Sequence, residues 1–275
     1  MAVFRAFKAL RPTEEKATAV AALPYDVVNR EEAAAIGKEN PDSFLHVDRA
    51  EMDLPAETDL YDAKVYQKAK ENLHKMEETG VLVQDNKPCY YIYELVRKGK
   101  VQTGIAGCAS IDDYLNNVVK KHELTRSDKE LDRINHVDVC DANTGPIYLA
   151  CRYTDALSAL LEQWKKEHKA TYDFTEEDEI THRVWVIDGD EAISQIQGEM
   201  EKIPALYIAD GHHRAASAVK VGLKRRQENP DYTGEEAFNY FLSVVFSYDQ
   251  LTILAYNRVV RDLNGQSVED VLEKI

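Results

Sequence analysis

The stretch that most limits what this chain can become runs from Thr181 to Asn229. "THRVWVID" reads as a strand, and "DEAISQIQGEMEK" as a helix with Ile193, Ile196 and Met200 along one face. "PALYIA" reads as a second strand, and "HRAASAVKVGLKRRQEN" as a helix that Pro230 stops. Strand, helix, strand, helix with short connections is a βαβ pattern, so an α/β sheet is expected. Where the second strand meets its helix the chain places Asp210, Gly211, His212, His213 and Arg214 in a row.

That row has a physical use. A helix N-terminus presents unpaired N–H groups and about half a positive charge, which makes it a ready anion site. In open α/β sheets, ligands bind beyond the carboxyl ends of the strands. Gly211 tolerates a positive φ and lets a ligand approach the backbone. Arg214 offers a bidentate donor for phosphate or carboxylate. His212 and His213 can donate, or titrate near neutral pH. The small residues that follow, Ala215 and Ala216 among them, would seat the helix close to the sheet. Adjacent helical residues point about 100° apart, so His212 and His213 are not expected to share a metal. Asp210 beside a nucleotide-bound Mg²⁺ is the metal expectation, because Mg²⁺ takes one or two carboxylates plus phosphates. No haem, flavin or structural zinc is expected.

Elsewhere the pattern is mixed. "LPYDVVNREEAAA" places an extended Pro24–Tyr25 step before a helix that Asn29 would cap. Residues 59–80 and 155–168 read as helices, the first stopped by Gly80. "CYYIYELVRKGKVQTGIAGCASI" is two β-rich runs around Lys98-Gly99-Lys100, a hairpin. "FNYFLSVVFSY" and "LTILAYNRVV" read as a last strand pair, and "SVEDVLEKI" as a helix without a cap or stop signal. The expected fold is a mixed α/β (α+β) globular unit over 1–275 with a central mixed sheet and flanking helices. Its core would draw on 1–50 and 181–275, with 85–170 as an inserted hairpin and helix region. The uncapped end suggests a piece of a longer chain.

A second polar run, "KKHELTRSDKELDR", holds His122, Glu123, Arg126, Asp128 and Arg133. It is not the HExxH of zinc proteases, because Arg126 stands four residues after His122. A solvated helix face explains it, and so does a functional loop in which Glu123 is a base and Arg126 holds phosphate. Asp26, in the strand-to-helix turn, could line the same site. Walker, GxGxxG and GxSxG motifs are missing. A net charge of −15, from 49 acids against 34 bases, argues against nucleic acid as a partner. No segment has the roughly 18 apolar residues of a membrane span. The four cysteines form no CxxC and suit reduced thiols in the cytoplasm.

Taken in order, "FRAFKALRP", "LPYDVVNREEA", "NPDSFLHVDRAEMDLP", "KKHELTRSDKELDR", "HRVWVI", "YIADGHHRAASA" and "NRVVRDL" resemble the prokaryotic family known as domain of unknown function 1015. The DGHHR turn also resembles that of the ParB/sulfiredoxin superfamily, which includes free serine kinases. That resemblance implies a ParB/sulfiredoxin-like core and nucleotide-dependent phosphoryl transfer to a small hydroxyl metabolite of serine type. ADP or ATP with Mg²⁺ would be the donor. Asp210, His213 and Glu123 would be catalytic, and Gly211, His212, Arg214 and Arg126 would hold phosphate. Asp26, Asn29 and His122 would line the substrate. A ParB-type nucleotide-binding regulatory module without turnover is the alternative. A small molecule and a nucleotide are the expected partners, with homo-oligomerisation left open.

Overall fold

The computed structural model describes residues 1–123, 127–176, 179–253, 257 and 259–274, with the side chains of 127–129 outside that description. The chain opens with β1 (Phe4–Arg5), β2 (Leu10–Pro12) and four helices: α1 (Ala17–Val20), α2 (Arg30–Glu39), α3 (Leu45–Asp48) and α4 (Ala63–Glu78). Then come β3 (Leu82–Gln84), β4 (Tyr90–Arg97), β5 (Lys100–Ser110), α5 (Ile111–Leu115), β6 (Val119–Lys120) and α6 (Ser127–Cys140). The second half runs β7 (Ile147–Cys151), α7 (Asp155–Glu167), β8 (Tyr172–Thr175), β9 (Thr181–Ile187) and α8 (Asp190–Met200). It ends with β10 (Leu206–Asp210), α9 (His212–Glu228), β11 (Tyr240–Ser247) and α10 (Val268–Leu272).

Among the described residues the strands form a large mixed sheet in the order β6-β10-β7-β11-β5-β4-β9-β8, with β1 on β5, and a separate β2–β3 pair. β10 runs parallel to β6, and β11 parallel to β7; the other pairs are antiparallel. The β4–β5 hairpin turns through Lys98 (φ 50) and Gly99 (φ 77). Two consecutive positive φ values match the right-handed twist of the strands they join.

The topology corrects the βαβ expectation. β9 and β10 are not neighbours: β4, β5, β11 and β7 lie between them. The hairpin lies near the middle of the sheet, where β5 pairs with both β4 and β11. The reason is in the composition of β4. Tyr90, Tyr91 and Ile92 are consecutive and all buried, so both faces of the strand are covered, as in a strand interior to the sheet rather than in a solvent-facing hairpin. α8 therefore connects strands that lie far apart in the sheet, with Ile196 and Met200 fully buried in the main core.

The ends of elements follow local chemistry. Asn29 caps α2 with a full capping box, its side chain accepting from the Glu32 N–H while Glu32 accepts from the Asn29 N–H. The last helix also has a cap, contrary to expectation: Ser267 and Asp270 form a capping box. β11 is present, but the expected partner at 251–260 falls partly outside the described residues and its described residues form no strand. Leu149 on β7 is fully buried in the core. Leu149→Ala is expected to cost about 2–5 kcal/mol, read as a lower urea midpoint with an unchanged slope.

Candidate functional site

β10 ends at Asp210, and Gly211 takes φ 92, ψ 32 before α9 begins. That left-handed step is open to glycine at little cost. It lets the chain turn from strand to helix with no linker, so the N–H groups of α9 sit at the sheet edge. Ala215 and Ser217 are fully buried and Ala216 and Ala218 nearly so, so α9 lies close against its neighbours. Ser217 Oγ donates to the carbonyls of His213 (2.7 Å) and Glu130 (3.1 Å), tying α9 to α6.

β10 lies between β6 and β7, and its exit turn serves both sides. β6 is parallel to β10, so both strands end at the same edge, and His122 and Glu123 follow β6 there. β7 is antiparallel to β10, so the residues before it, Asn143 to Pro146, reach that edge too. The first turn of α9 divides its side chains accordingly. His212 is buried against the β6 side: its ring meets that of His122 edge to face at 4.4 Å. Its Nδ1 lies 3.5 Å from Glu123 Oε2. Burial, and behind it the positive potential of neighbouring His122 and His213, holds the His212 pKa below its usual value despite Glu123 and Asp210.

Arg214 turns to the β7 side. Its Nη2 donates to Asp210 Oδ2 at 2.6 Å. Side-chain atoms added at Gly145 or Gly211 would come within 3.0 and 3.1 Å of the guanidinium, so both glycines keep the space it fills. Arg214 faces a tight cleft with Pro24, Tyr25, Arg133, His136 and Thr144. The Arg133 guanidinium lies 4.2 Å from the centre of the Tyr25 ring and pairs with Asp132 at 2.8 Å. Desolvation opposes the Arg133 charge, yet Asp132, Tyr25 and Asp48 raise its pKa above the ordinary value. Thr144 Oγ1 donates to Asp48 at 2.7 Å.

The expected residues thus fall into groups. Asp210, Gly211 and Arg214 form one cluster, and His122, Glu123 and His212 another. Asp26 is exposed beside Tyr25, and the Tyr25 hydroxyl lies within the electrostatic reach of Asp26, Arg133 and Arg214. Asn29 spends its side chain on the cap of α2. Arg126 lies outside the described residues. His213 carries a buried Nδ1 without a hydrogen-bond partner among the described residues. Sequence reasoning noted Arg133 in a charged run without giving it a role, and missed Tyr25, His136, Thr144 and Gly145 as cleft residues. Arg133 and His136 stand three apart in α6, a spacing that places both on one face, which was the available signal.

His136 is buried, and its Nε2 meets the Val47 carbonyl at 3.0 Å. Burial first, then Arg133, lowers its pKa. The unfolded chain therefore binds a proton that the fold refuses. Stability from this group is present above the unfolded value of about 6.5 and lost as pH falls through the lower folded value. Urea unfolding between these limits should show wild type losing more stability with acid than His136→Gln does.

The fold and the site define an α/β protein whose mixed sheet carries a glycine-turned helix N-terminus beside two buried or half-buried arginines, a geometry suited to anions. Residues 4–275 match the family described as "Protein of unknown function (DUF1015)", and the chain belongs to it. No curated protein and no solved structure matches the chain. Among the described residues, no helix is long and apolar enough to cross a membrane.

Proposed function

We propose that the chain is a small-molecule kinase of the serine-kinase type, built on a ParB/sulfiredoxin-like core, that moves a phosphoryl group from ADP or ATP to a metabolite hydroxyl. One observation carries this reading: Arg214 is held between Asp210, Gly211 and Gly145 at the N-terminus of α9, with Arg133 and Tyr25 in the same cleft. The cleft is narrow, which suits a compact phosphoryl group rather than a nucleobase. The wider groove that shares Asn143 with it has room for the rest of the substrates.

The free N–H groups of α9 and the Arg214 guanidinium would hold the phosphates. His213 would turn its unpartnered Nδ1 to them. Asp210 is 70% exposed at its side chain and spends one oxygen on Arg214, which leaves the other for the acceptor proton or for a nucleotide-bound Mg²⁺. When bound, Mg²⁺ supplies charge neutralisation across the phosphate oxygens. The acceptor oxygen forms the new bond to the terminal phosphorus, the bond from phosphorus to the bridging oxygen breaks, and the hydroxyl proton passes to a carboxylate. Asp210 is favoured over Glu123 for that proton, because Glu123 already lies against His212. Asp26 stays a candidate for lining the acceptor.

Phosphorus NMR of the protein with ADP or ATP, Mg²⁺ and a panel of amino and hydroxy acids tests the reading. A new phosphomonoester signal with one hydroxyl-bearing acceptor is expected. Absence of product, together with unchanged nucleotide binding in Arg214→Ala, would sink it. Tight binding without product would assign the ParB-type regulatory role instead.

A further inference from the structure

We propose that His122, Glu123 and His212 form a binding site for a divalent transition-metal ion, with Zn²⁺ or Co²⁺ as the matching chemistry. This goes beyond the phosphate reading and does not rest on it. Each of the three residues offers one ligand atom, and these atoms all lie within 4.8 Å of one another. The donors come from two segments. His122 and Glu123 follow β6, and His212 follows β10 by two residues, and the parallel register Leu206↔Val119 and Tyr207↔Lys120 brings them to one edge.

The spacing fits a metal better than a salt bridge. His212 Nδ1 and Glu123 Oε2 are 3.5 Å apart, long for a charge-assisted hydrogen bond. Two ligands on a tetrahedral ion with bonds of about 2.0–2.1 Å stand roughly 3.3–3.4 Å apart. Among the described residues, the remaining ring nitrogen of His212, Nε2, meets the His122 backbone N–H alone, at 3.5 Å. Binding through Nδ1 puts the ring proton on Nε2 and gives up that marginal contact. His212 is the buried member, 6% exposed, so its ring is fixed by packing, while the exposed His122 and Glu123 can close on an ion. Two imidazoles and a carboxylate suit Zn²⁺ and Co²⁺ rather than Mg²⁺ or Ca²⁺. Three protein ligands leave a position open for water or an anion, the pattern of reactive rather than structural zinc sites. His213 points elsewhere on the helix and is not needed.

Metal-stripped protein titrated with Co²⁺ alone, without nucleotide, should bind one equivalent and develop the intense visible absorption of tetrahedral cobalt. Zn²⁺ should displace it. His122→Ala and Glu123→Gln, both at exposed positions, should keep the wild-type unfolding temperature in the absence of metal. Each should weaken Zn²⁺ binding by more than about 100-fold, beyond the loss of an outer partner, while His213→Ala should not. Failure of the wild type to bind one equivalent, or wild-type affinity in both His122→Ala and Glu123→Gln, would overturn the proposal. Because Mg²⁺-dependent product formation is assayed separately, either reading can fail without the other.

Discussion

Arg214→Ala is expected to weaken binding of ADP and ATP roughly 10- to 150-fold, the cost of about 1.5–3 kcal/mol for a hydrogen bond to a charged group. The effect should fall on binding and product formation together, because the guanidinium is placed to meet phosphate rather than to support the fold. Its ion pair with Asp210 is solvent-facing on the carboxylate side, and such pairs contribute about 0–1 kcal/mol. The urea midpoint should therefore hardly move. Arg214→Lys should recover only part of the affinity, since a lysine keeps the charge and loses the planar fork. Asp210→Asn should leave the arginine in place and lower turnover more than nucleotide affinity. Calorimetric titration with each nucleotide in the presence of Mg²⁺ measures binding in all three variants, and phosphorus NMR of product measures their turnover. Nucleotide affinity within twofold of wild type in Arg214→Ala would remove the phosphate role from this turn.

The turn itself was legible in the sequence because its parts are local. A strand pattern, a glycine and a run of small residues specify a sharp strand-to-helix exit whatever surrounds it, and the Lys98-Gly99 hairpin and the Asn29 cap are local in the same way. Strand order was not legible. β6 is two residues long, and only Val118 and Val119 are apolar between Asn116 and Glu123, so no periodicity marks it, and its parallel pairing with β10 is what brings Glu123 to His212. Arg133 was hidden for a related reason. In a charged run such as "KKHELTRSDKELDR" a buried arginine looks like a solvated one. What allows it to be buried comes from elsewhere in the chain: the Tyr25 ring, Asp48 and the cover of the 143–145 loop, with Asp132 held in turn by the Tyr66 hydroxyl at 3.0 Å. Long-range partners, not residue type, decide between those two fates.

Gly222→Ala should destabilise the fold by about 1–2 kcal/mol, although helix propensity alone predicts the opposite sign. Glycine inside a helix is worse than alanine by about 0.8–1.0 kcal/mol, so an unconstrained exchange would stabilise α9. At this position a Cβ would sit inside van der Waals contact of the Phe238 carbonyl oxygen and 2.8 Å from Ile111 Cδ1. The isoleucine tip can rotate away, but the carbonyl is backbone. It belongs to a 3₁₀ turn at Ala237–Asn239, which Arg226 of α9 holds through Asn239 Oδ1 at 2.7 Å while gripping Asp112 with both terminal nitrogens. Moving the turn would disturb that junction, and overpacking of this kind costs about 1–3 kcal/mol or more. The steric term therefore outweighs propensity, and the melting temperature should fall by roughly 3–6 °C. Gly198 in α8 is the control, because a Cβ there meets nothing within 4 Å. Gly198→Ala should raise stability by about 0.5–1 kcal/mol. Thermal melts of the two alanine variants should move in opposite directions from wild type; equal shifts would mean that close packing at Gly222 does not set the position of α9 against the 3₁₀ turn.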